Sequence, residues 1–103
     1  MDISVEELKS KMSLKEDFIF IDVREPWEYS EFNLGAQLIP LGILMQSLPD
    51  LPADKAQEII VHCRSGQRSG MAKSMLQQMG YTNVRNLLGG VMDWQSKYGS
   101  EKI

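Results

Sequence analysis

Two short apolar runs constrain this chain most: "FIFIDV" at 18–23 and "EIIVHC" at 58–63, neither of which alternates apolar with polar residues. A strand with one face in water alternates, so a run that is apolar at nearly every position is expected of a strand covered on both faces. Each run leads into a segment with helical punctuation. "PWEYSEF" starts at Pro26, which suits a first helical turn, and carries acids where a helix N-terminus favours them; "RSGMAKSMLQQMG" is closed by Gly80. Strands alternating with helices predict an α/β fold, a small, mostly parallel sheet with helices on both faces.

The remaining segments extend this pattern. "DISVEELKSKM" has Ser4 three residues before Glu7, a capping-box spacing, followed by Val5, Leu8 and Met12 at helical intervals, with Asp2 and Ile3 as a strand stub. "LIPL" at 38–41 reads as a short strand that Pro40 confines to an edge or an end, and "GILMQSL" at 42–48 as a helix that stops before Pro49. "YTNVRNLLGG" supplies a last strand, Gly89 and Gly90 a tight turn, and "GVMDWQSKYG" a last helix ending at Gly99. Met71, Met75 and Met79 form one helical stripe and are expected in the core, while Trp27 and Trp94, with Leu88 and Val91, are expected in the core or at a pocket edge.

With 103 residues, 43% hydrophobic and 24% charged, the chain reads as one globular domain over residues 1–103. Its apolar runs are too short to cross a membrane, and its first residues lack the basic-then-apolar pattern of a secretory leader, so a cytoplasmic location is the expectation. One cysteine excludes an internal disulfide, and a single histidine beside it leaves no zinc-ligand cluster, so no metal is expected.

Charge is divided unevenly along the chain. Residues 1–58 hold 12 acids and 5 bases, whereas residues 59–103 hold 6 bases and 2 acids. Between Ile59 and Met92 the charged residues are Arg64, Arg68, Lys73 and Arg85, all cationic. Four bases without interleaved aromatics do not make a nucleic-acid surface. They do suit a small anion, and the sole cysteine lies among them.

Cys63 ends the second apolar run, where loops of an open α/β sheet bind ligands. The residues after it, Arg64, Ser65, Gly66, Gln67, Arg68 and Ser69, can curl so that backbone N–H groups converge, with Gly66 free of a Cβ and a helix N-terminus behind. Such surroundings favour thiolate over thiol, so Cys63 reads as a nucleophile rather than a small buried hydrophobe. Strand alternation puts Ile59, Val61 and Cys63 on one face and Ile60 and His62 on the other, which argues against a Cys–His dyad. Ser69 is a possible helix cap. Asp22, ending the first run, reads as a turn former or ion-pair partner.

Two related loops do not match. A Walker loop needs one more residue between Gly66 and Gly70, and lysine where Met71 stands. A cysteine phosphatase needs its arginine at position 69, where this chain has Ser69, the arginine coming one residue earlier at Arg68. The shorter loop makes a cradle better matched to one transferred sulfur atom than to a phosphoryl group.

"FIDVREPWEY" (20–29), "GAQLIPL" (35–41), "IIVHCRSGQRS" (59–69) and "GYTNVRNLLGGVMDW" (80–94), in this order and spacing, resemble the signatures of the rhodanese family of sulfurtransferases. The resemblance implies a persulfide mechanism without a cofactor. Cys63 would take the outer sulfur of a small anionic donor such as thiosulfate and pass it to cyanide, a thioredoxin-like thiol or a sulfur-carrier protein. Arg64 and Arg68 would attract the donor, and the backbone of Arg64 to Ser69 would hold the persulfide. A non-turnover sulfur relay is the alternative; phosphatase or arsenate reductase chemistry is a more distant one. "FNLGA" at 32–36 departs from the common family pattern, and "EYSEFNLGAQLIPLG" resembles rhodanese domains attached to enzymes that activate ubiquitin-like sulfur carriers.

Overall fold

The computed structural model describes residues 1–100. Helix α1 spans Val5–Ser13, β1 Ile19–Asp22, α2 Pro26–Glu31, β2 Gln37–Leu38, β3 Ile59–His62, α3 Gln67–Gln78, β4 Val84–Asn86 and α4 Gly90–Tyr98. The four strands form a parallel sheet in the order β2-β1-β3-β4. The two apolar runs are its central strands, in register from Ile19 opposite Ile59 to Asp22 opposite His62. Ile3 bridges in parallel to Leu87, the strand stub expected at the N-terminus.

Each face of the sheet is closed by its own helices. On one side Ile21, Ile59, Val61 and Cys63 pack with Ala72 and Leu76 of α3; on the other Ile60 packs with Val5 and Leu8 of α1 and Val91 and Trp94 of α4. The alternation is real even though the sequence hides it, because both faces are apolar. Full burial of each such aliphatic side chain contributes roughly 1.5–3 kcal/mol. α1 begins as expected, with Ser4 Oγ accepting from Glu7 N at 3.1 Å.

Four local expectations are corrected. The segment after Pro40 forms two 3-10 turns, Leu41–Ile43 and Met45–Asp50, rather than an α-helix, and Pro49 lies inside the second. Proline's fixed φ fits 3-10 geometry, so it did not have to stop the element. The methionine stripe of α3 is not core: Met71 is 54% and Met79 39% exposed, and only Met75 packs partly against the interior. The buried face is Ser69, Ala72 and Leu76, because the small Ser69 and Ala72 let α3 approach the sheet closely. Ser69 does not cap α3 either; Gly66 does, with φ +105°, and Ser69 lies in the first turn. β2 shares only Leu38 with "LIPL", beginning one residue before it at Gln37, and sits at the sheet edge, with Pro40 beyond it.

Candidate active site

The chain leaves β1 for β2 on one side of the sheet and returns to β3 on the other. β1 and β3 stay paired to their ends, Asp22 opposite His62, while the connections leaving them run in opposite directions, to β2 and to β4, the place where α/β sheets hold ligands. Cys63 is the first residue after β3 and is only 1% exposed. Gly66 N–H donates to Cys63 Sγ at 3.1 Å, and Ser69 N–H and Ser69 Oγ each lie 3.4 Å from it. These donors come from one side, the loop and the N-terminal turn of α3. Ser69 Oγ also reaches Asn86 Oδ1 at 2.5 Å.

The loop's carbonyls are turned away from the sulfur by specific partners. Cys63 O accepts from Val91 N at 3.0 Å and Arg64 O from Met92 N at 2.9 Å, so the N-terminus of α4 ties the start of the loop. Gly66 O accepts from Asn86 Nδ2 at 3.1 Å. Backbone N–H groups are thus left facing Sγ, which is the nest expected from the sequence. The close approach explains Gly90: a Cβ there would lie 2.5 Å from Cys63 O and 2.6 Å from Arg64 O, at a φ of +55°.

Burial alone would push the Cys63 thiol up; hydrogen bonds from Ser69 Oγ, Ser69 N, Gly66 N and Ser65 N more than offset this and hold it below its ordinary value. Thiolate is the nucleophilic form of sulfur, so the arrangement can support attack on an electrophilic sulfur. Arg64, Ser65 and Gln67 are exposed at the mouth, and Arg68 is half-buried.

Arg68 is not free to meet an anion. Its Nη1 and Nη2 contact Glu28 Oε1 and Oε2 at 2.7 and 2.9 Å, a bidentate pair. The Arg68 hydrogen bonds hold the Glu28 carboxyl well below its usual range, at about 2. Asp22 is an ion-pair partner, as expected: Arg24 Nη2 meets its Oδ2 at 2.8 Å, and Arg24 also donates to the carbonyls of Glu28 and Phe32. The His62 ring packs against Phe20 and Asp22 rather than the Cys63 sulfur, and its Nδ1 lies 3.4 Å from the Cys63 carbonyl oxygen. It is fully buried, its Nε2 is 3.5 Å from Asp22 Oδ2 without a hydrogen bond, and burial pushes its pKa down to about 4.

Glu28, Arg24 and Asn86 were not singled out from the sequence. Glu28 carried a legible signal, since Glu25 and Glu28 have capping-box spacing around Pro26. Asn86 carried none, because its role depends on β4 lying beside the loop. Trp94 is fully buried, whereas Trp27 is 65% exposed and edges a groove that also includes Arg64, Arg68, Phe32 and Met92. Among the described residues no acidic, His or Cys cluster could hold a metal ion, and no helix is long and apolar enough to cross a membrane.

Comparison with known proteins gives the same direction. A sulfurtransferase of Allochromatium vinosum is 32% identical over 90% of this chain and 86% of its own length. The thiosulfate sulfurtransferase PspE of Escherichia coli is 40% identical over 72% of this chain and 71% of its own. The human single-domain sulfurtransferase TSTD1 superposes with a TM-score of 0.82 at 27% identity, covering 93% of this chain and 96% of that one. The rhodanese-like domain family matches residues 4–97, and the chain belongs to it.

Proposed function

We propose that this chain is a sulfurtransferase that carries sulfane sulfur on Cys63 as a persulfide. The observation that carries this reading is the convergence of Gly66 N, Ser69 N and Ser69 Oγ on Cys63 Sγ, which favours a thiolate at the mouth of an arginine-bearing loop. The thiolate attacks the outer sulfur of thiosulfate, the sulfur–sulfur bond of the donor breaks, and sulfite leaves with the bonding pair. The Cys63 persulfide then gives its outer sulfur to cyanide, forming thiocyanate, or to a thiol, and the Cys63 thiolate returns. Arg64 draws the anionic donor in, Ser65 and Gln67 line the mouth, Arg68 borders it, and the amides from Arg64 to Ser69 stabilise charge on the terminal sulfur and on departing sulfite. The step needs neither metal nor organic cofactor. The site works in the cytoplasm, where reduced thiols are available as acceptors.

The steady-state formation of thiocyanate from thiosulfate and cyanide tests this reading. The expected result is ping-pong kinetics that vanish in Cys63→Ser. A second reading, a relay that passes sulfur only between proteins, is favoured by the near-complete burial of Cys63 together with the exposed Trp27 and Met92 that edge the groove lined by Arg64 and Arg68. It keeps Cys63 loading but predicts negligible turnover with cyanide and rapid transfer to a sulfur carrier or thioredoxin-like acceptor.

A further inference from the structure

The groove beside the cysteine loop is lined by three arginines, Arg24, Arg64 and Arg68, and by three glutamates, Glu25, Glu28 and Glu31. Arg24 is committed to the buried Asp22. Arg68 is committed to Glu28 through both carboxylate oxygens. Among the described residues, Arg64 is the lining arginine with no carboxylate partner. A site built to hold a doubly charged anion would leave more cationic charge uncompensated than this.

Glu28 is fixed in place by secondary structure. Its Oε1 accepts from Glu25 N at 3.0 Å, closing the capping box of α2, and its own backbone carbonyl accepts from Arg24 Nη1 at 3.4 Å. A donor that displaced it from Arg68 would break a bidentate ion pair and uncap a helix together. Glu28 therefore acts as a resident anion on Arg68.

We propose that Glu28 is a specificity-determining residue, whose carboxylate occupies Arg68 and biases the site toward singly charged sulfane donors, such as thiosulfonates and organic persulfides, over doubly charged thiosulfate. The inference rests on the persulfide reading above and deepens it by naming the donor class. Its physical basis is charge: a fixed carboxylate repels a dianion about twice as strongly as a monoanion at the same distance. With methanethiosulfonate the step is again attack of the Cys63 thiolate on the sulfane sulfur, with methanesulfinate leaving in place of sulfite.

The test compares kcat/KM for thiosulfate and methanethiosulfonate, with cyanide as acceptor, in the wild type, Glu28→Gln and Glu28→Asp. Reading a ratio removes the effect of any loss of folded protein. The ratio of thiosulfate to methanethiosulfonate should rise roughly tenfold in Glu28→Gln, as expected for removing one nearby charge, and return toward the wild-type value in Glu28→Asp. An unchanged ratio in Glu28→Gln, with both donors still used, overturns the role of Glu28 and leaves the persulfide reading standing. If neither donor loads Cys63 in the wild type, as read by intact mass, both fall.

Discussion

A Cβ on Gly90 would lie 2.5 Å from the carbonyl oxygen of Cys63, closer than such atoms approach in proteins. Two backbone segments that are distant in sequence thus meet without space for a side chain. The contact turns the Cys63 and Arg64 carbonyls toward the amides of Val91 and Met92, and so keeps N–H groups on the sulfur side of the loop. Gly90→Ala should therefore damage the site as well as the fold. The left-handed backbone alone costs roughly 1–2 kcal/mol for a non-glycine residue, with the steric clash added to it. Urea unfolding should show a lower midpoint, and the folded fraction should alkylate at Cys63 more slowly than the wild type. Wild-type alkylation in the folded fraction would show that the α4 contact does not shape the loop.

Ser69 donates to Cys63 through its backbone N–H at 3.4 Å, and its hydroxyl, whose single hydrogen is shared with Asn86 Oδ1 at 2.5 Å, lies 3.4 Å from the same sulfur. Ser69→Ala removes only the hydroxyl. The pH profile of Cys63 alkylation should then move to higher pH, because one of the bonds that favours the thiolate is gone. The rate near neutral pH should fall by up to about tenfold, the scale of one hydrogen bond to a charged group. A profile that overlays the wild type would assign the stabilisation to the backbone amides alone.

His62 is buried and neutral, with its folded pKa pushed from 6.5 to about 4 by loss of solvent. The unfolded chain therefore binds a proton at this residue at a higher pH than the folded chain does. Stability should fall as pH drops below 6.5 and continue to fall until about 4, by a total on the order of 3 kcal/mol. His62→Gln should flatten the dependence of the thermal midpoint on pH across that window. Parallel acid limbs for the two proteins would contradict this origin.

Glu28 titrates in a lower window, which overlaps that of His62 only near pH 4. Its folded pKa of about 2 lies below the ordinary 4.5, so its contribution is present above 4.5 and disappears as pH falls through 2. Glu28→Gln should lose on the order of 2 kcal/mol at neutral pH and show a flatter limb in the most acid range. Equal stability of the two proteins at neutral pH would mean that the pair with Arg68 adds nothing to the fold.

The parts of this arrangement that were legible in the sequence depend on neighbours along the chain. Both central strands, the position of Cys63 at the end of β3 and the opposite facing of His62 follow from local periodicity. Gly90 could be read as a turn, but not as the partner of Cys63 O, since that contact needs α4 to fold back onto the loop. Arg68 was legible as a cation but not as one already paired, because Glu28 lies 40 residues away. The methionines of α3 misled because sequence spacing defines a stripe without saying which stripe faces the sheet. Here the small Ser69 and Ala72 decided it.

The central claim is that Cys63 itself carries the sulfur. Intact-mass spectrometry of the protein after brief incubation with thiosulfate, before and after cyanide, measures this directly. The account predicts a gain of one sulfur atom that cyanide removes and that is missing in Cys63→Ser. A wild-type mass that stays unchanged with thiosulfate, methanethiosulfonate and an organic persulfide alike would contradict it.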